Sequence, residues 1–151
     1  MRALIQRVNY SRVIIDEQVK SEIGKGLLVL IGVENEDNEE DIRYLSNKVV
    51  QLRIFDDEAG VMNNSVKDVD GEVMVISQFT LHAKTKKGSR PSYINAAKPE
   101  ISIPMYEKFV QKMEEDLGKE IKTGEFGAYM KLDLENDGPV TIMIDRKNKK
   151  F

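Results

Sequence analysis

The run Leu27-Leu28-Val29-Leu30-Ile31-Gly32-Val33 leaves a chain like this few options. It has no polar side to turn towards water, and it is short for a helix. It therefore predicts a strand buried on both faces. Such a strand needs neighbours at its edges and cover over both surfaces, so a sheet must form around it. Gly24-Lys25-Gly26 reads as the turn before it. Ala3–Val8 and Arg12–Ile15 read as extended, with Asp16-Glu17 as a turn before Gln18–Ile23. Further strands are expected at Arg53–Asp56, Glu72–Leu81, Tyr129–Leu134 and Val140–Asp145, with loop from Asp57 to Asp70 and from His82 to Lys98.

Two helices supply the cover. Asp37 or Asn38 can cap the first, acidic residues Glu39, Glu40 and Asp41 suit its positive end, and Ile42, Leu45, Val49 and Leu52 fall on one stripe. The second is expected from Pro104 to Leu117, with Ser102 as its cap, Gly118 just past its end, and Met105, Phe109, Met113 and Leu117 as its apolar stripe. The expected fold class is mixed α/β, with layered β-sheets and helices packed on one side.

The chain has 151 residues without an internal repeat or linker, so a single domain over 1–151 is expected, with 146–151 as a basic flexible tail. Cysteine is absent and histidine occurs once, which excludes disulfides, thiolate metal sites and a cysteine nucleophile. No metal or cofactor is expected, and the absence of cysteine fits a cytoplasmic protein. No stretch approaches the roughly 20 apolar residues of a membrane span, so no membrane partner is expected. The net charge of −3 argues against coating nucleic acid by charge alone. Basic residues nevertheless cluster in two places. These are Lys84, Lys86, Lys87 and Arg90 in one loop, and Arg146-Lys147-Asn148-Lys149-Lys150 at the end. The bland reading of each is a solvated surface, and the sharper one is contact with a phosphate backbone.

No phosphate-binding glycine loop, H-E-x-x-H or G-x-S-x-G is present. Hydroxyls cluster instead near the end of the Glu72–Leu81 strand. If that strand runs through Leu81, alternation places Gln78, Thr80 and His82 on one face, where His82 can serve Thr80 as a base. Asn136-Asp137-Gly138-Pro139 reads first as a hairpin turn. A Gly–Pro bond also lowers the cost of the cis form to about 0.5–1 kcal/mol. A cis dipeptide can aim two carbonyl oxygens the same way, as a clamp for an ammonium group.

These segments together resemble the D-aminoacyl-tRNA deacylases of the bacterial and eukaryotic type. The resemblance runs through Gln6-Arg7-Val8, Gly26–Leu30 with Gly32-Val33, Arg53-Ile54-Phe55, and Met62-Asn63. It continues through Ser77-Gln78-Phe79-Thr80-Leu81, Gly88 with Arg90-Pro91-Ser92, Thr123-Gly124 with Phe126 and Met130, and Asn136–Thr141. It implies a deacylase-type fold and a homodimer with its active site at the subunit interface. Ser77, Gln78, Phe79 and Thr80 of one protomer would face Gly138 and Pro139, joined in cis, from the other. The dipeptide's carbonyls would hold the substrate ammonium and reject an L side chain by collision. Arg7 would fix the dipeptide, while the Phe79 N–H and Ser77 hydroxyl would meet the ester carbonyl. Phe126 and Met130 would flank the 3′-terminal adenosine. The ribose 2′-hydroxyl would help activate water. Glycine would pass as if it were a D-residue. The resemblance also favours Lys84, Lys86, Lys87 and Arg90 as contacts to acceptor-stem phosphates, and gives His82 no catalytic role. Two other functions fit the residues alone: a non-catalytic RNA-binding module using the basic loop, and a small-ester hydrolase using Thr80 and His82.

Overall fold

In the computed structural model, which describes residues 1–148 and 150, a single long strand organises the sheet. Strand β1 (Arg2–Ile15) pairs along one edge with β3 (Gly26–Gly32) and then β2 (Gln18–Ile23), and along the other with β8 (Lys131–Asp145). Beyond β3 lie β6 (Glu72–Ser77) and β7 (Lys122–Thr123), both added in parallel. The Ser21 hydroxyl on β2 donates to the Thr123 carbonyl on β7 at 2.6 Å, so the two ends of the path meet. One sheet thus curls nearly shut, where separate layers were expected. A two-stranded ribbon, β4 (Phe55–Asp56) and β5 (Met62–Asn64), stands apart from it, and β5 falls inside the expected 57–70 loop.

Closure explains the two-faced burial of β3. Leu27, Val29 and Ile31 face outward into the large core with Val73 and Val75 of β6. Leu28 faces inward with Met74, Ile76, Val8 and Val13, filling the inside of the curl. Helix α1 (Glu39–Gln51) and helix α2 (Pro99–Leu117) cover the outer core from one side. Ile42, Leu45 and Val49 of α1 and Met105, Phe109, Met113 and Leu117 of α2 are all buried, as their spacing requires.

Asn38 caps α1: its side chain accepts the Asp41 N–H at 3.2 Å while Asp41 accepts the Asn38 N–H at 3.0 Å. That reciprocal box satisfies two orphan amides and is worth about 1 kcal/mol. Helix α2 begins five residues before the expected start at Pro104. Pro99 supplies the preset φ of a first turn, so Ser102 lies inside the helix and does not cap it. Gly118 at φ 77 ends it as expected.

Two strand assignments need correction. Strand β6 stops at Ser77, and Phe79–His82 forms a 3-10 turn. The last ladder bond is Gln78 N–H to the Ile31 carbonyl, 2.8 Å, after which the chain leaves the sheet. At the C-terminal side the two expected strands are one. Both halves of β8 pair antiparallel with β1, and the register jumps from Val8↔Asn136 to Gln6↔Thr141. Asp137–Val140 is therefore an outward excursion on a continuous strand, where a hairpin turn was expected. After β8, Arg146 Nε lies 3.2 Å from Asp41 and its guanidinium sits over the Tyr44 ring, while Lys147 reaches Glu34 at 3.4 Å. The segment expected as a flexible tail thus begins with two residues paired to the α1 side. Lys149 and Phe151 lie outside the described residues. No helix among the described residues is long and apolar enough to cross a membrane.

Candidate functional site

Strands β3 and β6 run parallel, and the crevice beyond the carboxyl ends of such strands is a common place for ligands. A cavity of about 300 Å³ opens there, lined by Ile76, Ser77, Gln78 and Phe79 on one wall and by Phe126–Met130 on the other. Ala97 and Ser102 close it from the α2 side. Five of the residues expected to share a site, Ser77, Gln78, Phe79, Phe126 and Met130, are brought together by this fold.

The apolar wall is held from behind. The Tyr106 hydroxyl donates to the Val75 carbonyl at 2.9 Å, and its ring packs against Phe126 at 5.9 Å. Burial pushes that hydroxyl up to about 12, so Tyr106 stays a neutral donor. On the opposite wall the 3-10 turn lifts Phe79 into the opening, where 53% of it is exposed, in edge-to-face contact with Tyr93. The Gln78 amide donates to the Thr80 hydroxyl, and Thr80 does not line the cavity. Tyr106, Ala97, Ser102 and Tyr129 were not anticipated. Tyr106 falls between stripe residues of α2, and nothing in its type signalled a role behind a pocket.

His82 is not paired with Thr80. Alternation no longer applies once the strand ends at Ser77, and the His82 ring is buried against Gly32, with Nδ1 3.6 Å from Glu34. Neither ring nitrogen has a hydrogen-bond partner among the described residues. Burial, first of all, holds its pKa below the usual value.

Gly138 and Pro139 are elsewhere. Their peptide bond is cis, and both residues are exposed at the tip of the β8 excursion. Arg7, 8% exposed, ties that tip down: Nη1 donates to the Ile54 carbonyl at 2.6 Å and Nε to the Asp137 carbonyl at 3.3 Å. The Asn136 amide bridges the base by donating to the Arg7 and Val140 carbonyls, each at 3.0 Å. The ladder shows how far this lies from the pocket. Ser77 pairs with Ile31, whereas the excursion leaves beside Arg7, whose row runs through Leu27 to Val73. Those rows are about 13 Å apart along the strands, and three strand spacings of about 4.8 Å separate β8 from β6. Within one chain the dipeptide and the pocket are two places.

Lys84, Lys86, Lys87, Arg90 and Ser92 line a separate hollow of about 300 Å³. Lys84 and Ser92 exchange both main-chain bonds, at 2.8 and 2.9 Å, closing the loop at its base.

An apolar slot beside a hydroxyl and the amides of a turn thus marks this mixed α/β domain. The relatives of the chain place it in a family. Residues 4–145 match the family described as D-Tyr-tRNA(Tyr) deacylase. A protein of Bacteroides thetaiotaomicron named D-aminoacyl-tRNA deacylase is 62% identical over 149 residues, 99% of each chain. One of the same name from Flavobacterium psychrophilum is 59% identical over the same span, again 99% of each. A solved structure titled c-Myc DNA Unwinding Element Binding Protein is similar with a TM-score of 0.89 at 36% identity, covering 96% of this chain and 98% of that one. The chain belongs to the D-Tyr-tRNA(Tyr) deacylase family.

Proposed function

We propose that this chain hydrolyses the ester joining a D-amino acid to the 3′-terminal ribose of tRNA, in the cytoplasm and as a homodimer. The observation that carries the reading is the convergence of Ser77, Gln78, Phe79, Phe126 and Met130 on one cavity in a member of this family. The terminal adenine lies against Phe126 and Met130, which leaves the ester at the Ser77–Phe79 wall. Water adds to the ester carbonyl carbon, and the carbonyl oxygen takes up negative charge. The Phe79 N–H opens a 3-10 turn and has no acceptor within that turn, so it is free to receive this oxygen together with the Ser77 hydroxyl. The intermediate collapses by breaking the bond to the ribose oxygen, which takes a proton, and the free amino acid and tRNA depart. The neighbouring ribose hydroxyl assists the water, which fits a pocket whose described lining has no carboxylate, imidazole, lysine or arginine. Gln78 and Thr80, bonded to each other, hold the turn in shape.

Chirality is read by the partner subunit. Gly138 and Pro139 stand too far from the pocket of their own chain to act there, and they project from the sheet. In the dimer the partner's Gly138 and the partner's Pro139 enter the pocket and grip the substrate ammonium by main-chain oxygens. An L side chain collides with that main chain, a D side chain points away from it, and glycine passes. Lys84, Lys86, Lys87 and Arg90 neutralise acceptor-stem phosphates.

Deacylation of D- and L-tyrosyl-tRNA by the purified protein is the test. The D-ester is expected to be hydrolysed at least about 100-fold faster in kcat/KM, as positional exclusion allows. Equal rates on the two, or none on either, would overturn the reading.

A further inference from the structure

The mouth of the pocket carries aromatic surface that the hydrolysis does not use. Phe79 is half exposed, Tyr93 is 41% exposed, and their ring centroids are 5.0 Å apart at an interplanar angle of 76°. In an edge-to-face pair each ring keeps at least one π-face free. Tyr93 directly follows Ser92, which closes the base of the basic loop by its paired bonds to Lys84. The cationic hollow therefore begins one residue from the aromatic pair, and Phe79 of that pair lines the pocket while Tyr93 stands beside it, outside the lining. Among the described residues no ion pair engages Lys84, Lys86, Lys87 or Arg90, whereas Lys108, Lys112, Lys119, Arg146 and Lys147 each have a carboxylate partner. Slot, π-surface and unpaired cations thus follow one another in space.

From this order we infer that Tyr93 is a stacking platform for the unpaired nucleotide preceding the terminal adenosine, and that the single-stranded 3′ end leaves the pocket over Tyr93 towards the basic loop. The inference rests on the proposed reading of the pocket as the seat of the terminal adenosine. Base stacking on an aromatic ring tolerates any base, and cations beside it track the backbone, which is how unpaired nucleic acid is held without sequence preference. Strand exit on the far rim would pass Tyr129, 83% exposed, which has no basic run like Lys84–Arg90 beside it in the sequence. Recognition then extends beyond the reacting ester, so affinity for charged tRNA is separable from chemistry at the ester.

The experiment compares two substrates, D-tyrosyl-tRNA and the minimal ester D-tyrosyl-adenosine, in wild type, Tyr93→Ala, Tyr93→Phe and Tyr129→Ala. For Tyr93→Ala the loss of kcat/KM on the tRNA is expected to exceed its loss on the minimal ester by about five- to one-hundred-fold, expressed in KM. Tyr93→Phe, which keeps the ring, is expected to restore most of that ratio. A 2-aminopurine placed next to the terminal adenosine of a CCA-ended RNA is expected to lose fluorescence on binding wild type, and to lose much less on binding Tyr93→Ala. Equal losses on both substrates would make Tyr93 a mere prop for Phe79 and overturn the inference. So would a ratio that follows Tyr129→Ala, or quenching that survives without the ring. If wild type hydrolyses neither D-ester, the proposed function itself fails, a result distinct from any of these.

Discussion

Two exposed segments of this protein are built to opposite standards. The Asp137–Val140 excursion is gripped from below by Arg7, whose buried guanidinium holds two main-chain carbonyls, and across its base by the Asn136 amide. The Lys84–Ser92 loop is closed by two main-chain bonds, and its cations stand free among the described residues. The difference follows from what each is proposed to do. Telling a D from an L side chain demands main chain held to fractions of an ångström. Attracting a phosphate backbone demands only charge in roughly the right place, because the Coulomb term falls slowly with distance. On the proposed roles, tethering by side chains goes with discrimination and loose charge with attraction.

The largest effect expected from breaking this contrast is at Gly138. Its φ of 120 is a conformation that side-chain-bearing residues rarely adopt, and a Cβ there would lie 2.9 Å from Arg7 Nη2 and 3.0 Å from a Val140 methyl. Gly138→Ala should displace the tip and cost about 100-fold in kcat/KM on D-tyrosyl-tRNA, with the salt dependence of tRNA binding unchanged. Arg7→Lys should follow at about tenfold, since one ammonium cannot fork to the Ile54 and Asp137 carbonyls together. Its thermal stability should also fall, because a buried carbonyl losing a charged donor costs about 1.5–3 kcal/mol. Steady-state kinetics on both esters, with melting curves, checks this. Wild-type kinetics in Gly138→Ala would show that the tethered segment does not discriminate.

Neither segment was fully legible in the sequence, for different reasons. The Asn-Asp-Gly-Pro chemistry does mark a turn, but local residue types do not reveal that both flanks pair with the same neighbour. That knowledge lives in β1, some 130 residues earlier in the chain. Leu27–Val33 was readable because a two-sided apolar run has one solution, and the stripes of α1 and α2 because burial enforces their period. The end of β6 was not. Phe79 and Thr80 favour strands and Leu81 extends the apolar run, which carries the expectation through Leu81, while the ladder with β3 stops at Ser77 and releases the chain. The pocket's near wall was recognised through the Ser77–Leu81 motif, and Phe126 and Met130 by the same resemblance. Ala97, Ser102 and Tyr106 were missed because they arrive from α2 and the loop before it as ordinary packing residues.

A smaller effect is expected from the loose segment, and of a different kind. Replacing Lys86 and Lys87 by Ala should weaken tRNA binding about three- to tenfold and reduce the slope of log K against log salt by about one for each lysine that meets a phosphate. The ratio of D- to L-ester hydrolysis should stay as it is. Binding titrations across a salt series, beside the same kinetic assay, separate the two segments. A changed D/L ratio in the lysine variant would mean that the basic loop helps position the ester, and the contrast between attracting and discriminating would collapse.

The smallest effect tests where looseness begins. His82 lies two residues before Lys84 and anchors the chain against Gly32, its ring facing Glu34, with the Met1 ammonium and Arg2 nearby. Burial chiefly, helped by those two cations and opposed by Glu34 and the Gly32 main chain, holds its pKa below the usual 6.5. The unfolded chain therefore takes up a proton near pH 6.5 that the native chain refuses, so stability is present above that pH and is lost as pH falls towards the native pKa. Glu34 and Asp145 are also lowered, from 4.5 and 3.8, and their contributions are lost only in stronger acid. Below pH 6.5, before the carboxylates titrate, the slope thus reports His82, and the wild-type Tm should fall as pH falls. His82→Gln cannot titrate and should melt with a flat profile there. A wild-type slope retained in the glutamine variant would place the titrating group elsewhere and leave the buried His82 without a part in the pH response.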